Sequence, residues 1–190
     1  MPAPITFQIH HKSSENEART GTVTTPHGTF QTPAFMPVGT RATVKGLTPK
    51  QIRNTGSEII LNNAYHLMLR PSDMLIKSMG GAHQFMRWDR PLLTDSGGFQ
   101  AWSMADINSI DEDGVTFKSI IDGDMIRMTP ERSIEVQNNL GADIIMAFDD
   151  CPSSITPQEH VLEQRRSALA ARDGVQTIAE HEMRLQQSLD

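Results

Sequence analysis

Hydrophobic and polar positions along the 190-residue chain change their rhythm near residue 45. Before it, FQIHH and GTVTTPHGTFQTPAFMPV alternate Thr, Val and Phe with Gly and Pro turn formers, which predicts short strands in a small antiparallel β unit. After it, helix starts recur. In GLTPKQI, Thr48 is placed to accept as N-cap, Pro49 fits the first helical position, Gln51 completes a capping box and Gly56 supplies a stop. Thr129-Pro130 opens RSIEVQNNLG, with Ile134 and Val136 apolar and Gly141 at its end, and Thr156-Pro157 opens another helix with Glu159 in the reciprocal capping position. A further helical pattern, SDMLIKSMGG, runs from Ser72 or Asp73 to Gly80-Gly81.

Between the helices lie three unpatterned apolar runs of strand length, SEIILNN, RPLLTD and ADIIMAFDD, each ending in polar or acidic residues. Buried strands alternating with helices predict an α/β fold with a parallel sheet, because parallel connections need helical crossovers. The ligand site of such a fold lies beyond the carboxyl ends of its strands. Asn62, Asn63, Asp95, Asp149 and Asp150 fall there. One segment interrupts the alternation: GVTFKSIIDGDMIRM scans as an inserted β-hairpin around Asp122-Gly123.

Composition narrows the classes. Hydrophobic residues make up 37%, which fits an ordinary globular domain or part of a larger barrel. No apolar stretch reaches the roughly 18 residues of a membrane helix and the N-terminus carries no secretion signal, so a cytoplasmic location with no membrane partner is expected. The single cysteine, Cys151, forms no internal disulfide and reads as a small buried hydrophobe. The seven histidines show no pair one helical turn apart, so their spacing predicts no metal site. A net charge of −6 opposes nonspecific coating of nucleic acid, although Arg41, Lys45, Lys50 and Arg53 cluster in sequence, as a solvated face or as phosphate contacts.

The richest chemistry is in TDSGGFQ, residues 94–100. Asp95 stands at a strand end, Ser96 offers a hydroxyl, Gly97 and Gly98 allow a tight turn with free N–H groups, and Phe99 offers a flat apolar face. A carboxylate accepting from adjacent N–H groups of a purine edge, with an aromatic ring stacked on the base, suits a planar hydrogen-bonding ligand. A tight turn with a capping Asp is the plainer alternative. Asp149, at the end of IIMAF, supplies a second acid, with a capping role as its own alternative. No GxGxxG, GxxxxGK[ST] or HExxH is present.

Taken in order, the T-P-F-M-P-V spacing, GTRATVKGLTP, EIILNNAYHLMLRP, LLTDSGGFQ, DGVTFKS with IDG, and TPERSIEVQNNLGADIIMAFDDC resemble the tRNA-guanine transglycosylase (queuine tRNA-ribosyltransferase) family over roughly residues 7–152. The resemblance implies a (β/α)8 TIM-barrel fold, here its N-terminal half, with an N-terminal antiparallel β unit and an inserted hairpin. It implies a pentosyltransferase that exchanges guanine at the wobble position of a tRNA anticodon loop for queuine or a 7-deazaguanine precursor, in queuosine biosynthesis. By position, Asp95 matches the proton acceptor that contacts the exchanged base, and Phe99 the ring that stacks on it. Ser96, Gly97 and Gly98 complete the base loop, Asp149 reads the base edge and Asn63 lies near the ribose.

The family's nucleophilic Asp, its GIVQGG-type loop and its Cys/His zinc site are expected in a C-terminal half beyond this chain, so no cofactor is expected within it. Residues 1–165 are accordingly expected to form the barrel part. Residues 166–190 depart from the family pattern and read as a divergent helical tail produced by truncation or frameshift. Weak or no exchange by the isolated chain is expected, as is a catalytically incomplete fragment or non-catalytic purine/tRNA-binding module as the competing class. The resemblance further implies a homodimer or pairing with an intact subunit.

Overall fold

The structure, a computed structural model, describes residues 5–103, 109–111 and 113–149. These form two compact units: residues 5–95 with 136–145, and residues 96–135 with 146–149.

In the first unit the chain enters as the expected antiparallel meander, β1 (Thr6–Lys12), β2 (Arg19–Thr25) and β3 (Gly28–Thr32). Beyond it, β4 (Val38–Gly39), β5 (Ile60–Asn62) and β6 (Leu92–Thr94) make a parallel sheet in that order. SEIILNN and RPLLTD thus form the strands that their apolar runs predict. Helix α1 (Pro49–Asn54) crosses over from β4 to β5, and its capping box is complete: Gln51 N–H donates to Thr48 Oγ1 and Thr48 N–H to Gln51 Oε1. From β5 to β6 the crossover runs through α2 (Ala64–Leu69), α3 (Asp73–Ser78) and α4 (Gly81–Met86).

Only α3 among these three follows from the helix-start signals; Ser72 caps it, as expected, by accepting from Leu75 N–H. Gly80-Gly81 is a junction rather than a final stop, since Gly80 is also the N-cap position of α4. Ile59, Ile60, Tyr65, Leu67, Ile76, Trp88 and Leu92 are fully buried and form this unit's core. Such burial explains the unpatterned apolar runs, because a strand covered on both faces has no polar side to show.

The run ADIIMAFDD departs from expectation. Its only pairing among the described residues is a parallel bridge from Ile144 to Leu93, and Ile145 and Met146 are 37% and 46% exposed. An apolar run becomes a buried strand only where a ladder and a covering layer exist, and here the ladder stops after one bridge.

The second unit contains α5 (Gly98–Ser103) and an antiparallel sheet of β7 (Ser109–Asp111), β8 (Gly114–Lys118) and β9 (Met125–Met128). β8 and β9 are the expected hairpin around Asp122-Gly123, with Phe117, Val115 and Met128 on its buried face. Helix α6 (Pro130–Leu140) starts and stops where Thr129-Pro130 and Gly141 predict. The expected helix at Thr156-Pro157, the tail 166–190, Asp150 and Cys151 lie outside the described residues. Among the described residues no helix is long and apolar enough to cross a membrane.

Candidate functional site

Asp95 follows β6 directly, at the carboxyl edge of the parallel sheet. Its backbone N–H donates to Asn62 O at 3.2 Å, continuing the ladder one residue past the strand. The carboxylate is gripped from the neighbouring strand end. Asn63 Nδ2–H donates to Asp95 Oδ2, and the Ala64 N–H donates to Oδ1 at 2.8 Å. Asn63 is itself fixed, because its Oδ1 caps α2 by accepting from His66 N–H at 3.0 Å. One asparagine therefore starts a helix and orients a carboxylate, and the helix start brings a backbone donor to the same anion.

Ser96, buried at 4% exposure, is the hub of the second unit's share. Its hydroxyl donates to Asp149 Oδ1 at 2.8 Å and accepts the Gly98 N–H at 3.1 Å, while its carbonyl accepts from Ser133 Oγ at 2.6 Å. Gly97 adopts φ 80°, a conformation that other residues reach only under strain. Gly98 is needed for space: a Cβ there would overlap the Asp149 carbonyl oxygen and come within 3.0 Å of Asp149 Oδ1. The pair is thus not simply a loose turn, since Gly98 opens α5.

The structure thus brings Asn63 to Asp95, and Ser96 and Gly98 to Asp149. It holds Asp149 through a serine, and the Asp95–Ser96 peptide links the two sets in the chain. Phe99 leaves 54% of its surface exposed, unlike the buried aromatics of either core. An exposed aromatic ring beside a glycine-rich turn presents a flat apolar surface. Asp149 lies beyond the single Ile144 bridge rather than at the end of a strand.

Gln100 was not singled out by the sequence pattern. Its Oε1 is buried and lacks a hydrogen-bond partner among the described residues. A buried amide oxygen in that condition costs free energy, which a ligand donor would recover. The available signal was its place directly after Phe99 in an otherwise chemistry-rich motif. His66, after the Asn63 cap, is held below the ordinary imidazole range by burial first and by the charge of Arg41 second. Of the basic cluster, Arg53 is engaged at home: it donates to Asp89 Oδ1 at 2.8 Å and lies 6.0 Å over the Trp88 ring.

Comparison with known proteins shows the family. The family model described as queuine tRNA-ribosyltransferase matches residues 13–189. A queuine tRNA-ribosyltransferase of Streptococcus suis (strain 98HAH33) is 52% identical over 158 residues, covering 83% of this chain and 42% of the relative. One of Streptococcus pneumoniae (strain P1031) is 53% identical over 159 residues, covering 84% of this chain and 42% of the relative. The chain therefore spans less than half the length of these relatives. With the family model matched along most of the sequence, the chain belongs to the queuine tRNA-ribosyltransferase family.

Proposed function

We propose that this chain carries the base-handling part of a queuine tRNA-ribosyltransferase, exchanging guanine at the wobble position of tRNA for queuine or its precursor. The observation that carries the reading is the Asp95 carboxylate, held by the Asn63 amide and the Ala64 N–H at the carboxyl edge of the sheet. A fixed carboxylate suits proton transfer: as the ring nitrogen of the incoming base attacks C1′ of a ribosyl-enzyme ester and displaces the nucleophilic carboxylate, a residue expected beyond this chain, Asp95 accepts the proton that the nitrogen loses. Phe99 stacks on the base, and Gly97 and Gly98 let the backbone approach it. Asp149, oriented by Ser96, reads donors on the base edge, and Gln100 adds an acceptor. In this reading Asn63 orients Asp95 first and meets the ribose second.

The fold supports placing these residues in the first part of a (β/α)8 barrel. β4, β5 and β6 are parallel in chain order, with helical crossovers between them, and Ile144 continues the sheet beyond β6. The partners of the site are tRNA and a guanine or 7-deazaguanine base.

The test has two arms: calorimetric binding of guanine to the 190-residue chain, and incorporation of radiolabelled guanine into unmodified tRNA, each with Asp95→Asn. Guanine binding that the substitution weakens supports the base-handling role. Labelling abolished by the same change extends it to the whole reaction. Binding of guanine without labelling restricts the chain to a base-binding module, and a folded chain that neither binds guanine nor labels tRNA overturns the reading.

A further inference from the structure

We propose that His27, His83 and Asp143 form a site for a divalent first-row transition-metal ion of the zinc class. None of the three belongs to the residues read above as handling the base, and all lie in the first unit. His27 sits in the turn between β2 and β3, His83 in α4, and Asp143 just after α6, immediately before the Ile144 bridge. Distant in sequence, they converge: His27 Nδ1 is 2.7 Å from Asp143 Oδ1, His83 Nε2 is 3.2 Å from Asp143 Oδ2, and the three donors all lie within 4.8 Å of one another.

The donor set fits this class of ion. Two imidazoles and one carboxylate favour zinc, cobalt or nickel over calcium or magnesium, which take oxygen donors. Around a tetrahedral ion with bonds of roughly 2.0–2.1 Å, neighbouring donors stand about 3.3 Å apart. His83 Nε2 already stands at about that distance from Oδ2 and His27 Nδ1 stands closer, from Oδ1, so the His27 ring must move out for one ion to be shared. His27 is free to do so, because its side chain is 43% exposed on a turn, whereas that of Asp143 is 1% exposed. The exposed side also provides the entry path and a place for a water ligand.

Without an ion the same groups are held by hydrogen bonds. The imidazoles stack at 3.6 Å and 16°, and His83 Nε2 lies 3.2 Å from the Arg90 carbonyl oxygen. Binding therefore requires the His27 ring to tip out of the stack and the His83 proton to move to Nδ1, freeing the Nε2 lone pair. Asp143 is supported for the task from behind, since the Leu92 N–H donates to its Oδ2 at 2.9 Å. An ion there would tie the N-terminal meander to the parallel sheet.

The metal-free chain is titrated with Co2+, followed by its visible absorption, and with Zn2+ in competition. Saturable one-to-one binding is expected, weakened about tenfold or more in His27→Gln and unchanged in His11→Gln. Circular dichroism checks that both variants keep the fold. Absence of saturable binding at millimolar Co2+ overturns the proposal. So does equal affinity in His27→Gln, which places the ion elsewhere, for example at Cys151, His160 or His181.

Discussion

Ser96 shows how much one small side chain can organise. Its hydroxyl uses its proton on Asp149 and its lone pair on the Gly98 N–H, so replacement removes an orienting contact without emptying any large volume. Gly98 is less tolerant, because the space above its Cα is already filled by the Asp149 backbone. Gly98→Ala is expected to cost about 1–3 kcal/mol in urea unfolding, the usual range for forcing atoms into a packed position, and to weaken guanine binding in calorimetry. An unchanged midpoint and affinity would show that the loop moves aside freely. The candidates Asp95, Ser96, Gly97, Gly98 and Phe99 were legible in the sequence because the motif is contiguous. The Asn63–Asp95 and Ser96–Asp149 partnerships were not, since each joins residues far apart in the chain whose contact depends on strand pairing or on chain return.

At the scale of elements, α1 was fully legible because a capping box is local. Thr48, Pro49 and Gln51 determine the start among themselves, and the structure shows both reciprocal hydrogen bonds. Thr48→Ala is expected to lower stability by about 1 kcal/mol in thermal or urea unfolding. No change would mean that Pro49 and tertiary packing alone set the helix start. α2 was missed for a related reason: its cap, Asn63, directly follows the β5 asparagine, so strand end and helix start share the same few residues. α4 was missed because Gly80-Gly81 reads as a stop, whereas the chain uses it to turn one short helix into the next. The β8–β9 hairpin was legible from its Asp-Gly turn and flanking alternation, while β7 required a partner strand to become one.

At the scale of the whole molecule, acid is the expected weak point. Burial alone would raise the Asp143 carboxyl, yet hydrogen bonds from His83, His27 and the Leu92 N–H outweigh it and hold the group below its ordinary value. A carboxylate depressed in the folded state binds its proton more readily when unfolded, so its stabilising contribution is present above the ordinary value of 3.8 and disappears as pH falls through the folded value. His66, depressed from 6.5 by burial and by Arg41, acts in the same direction: below 6.5 the unfolded chain takes up the proton first. Urea midpoints, measured with a chelator present, are therefore expected to fall from pH 7 to pH 3, with a shallower fall in Asp143→Asn below pH 5. A flat profile in the native chain would remove Asp143 and His66 as determinants.

By itself the sequence determined what depends on neighbours along the chain: helix caps, the antiparallel meander, the hairpin turn, the two runs that became β5 and β6, and the DSGG motif with the family it resembles. Tertiary structure decided what depends on residues meeting from a distance. Among the described residues it stopped the ADIIMAFDD run at one bridge, gave Asp95 its amide clamp, left Gln100 Oε1 unpartnered and gathered His27, His83 and Asp143, which no spacing rule would group. The reason is physical: caps and turns are closed by hydrogen bonds within a few residues, whereas clamps and ligand sets are closed by the packing of a sheet against its helices.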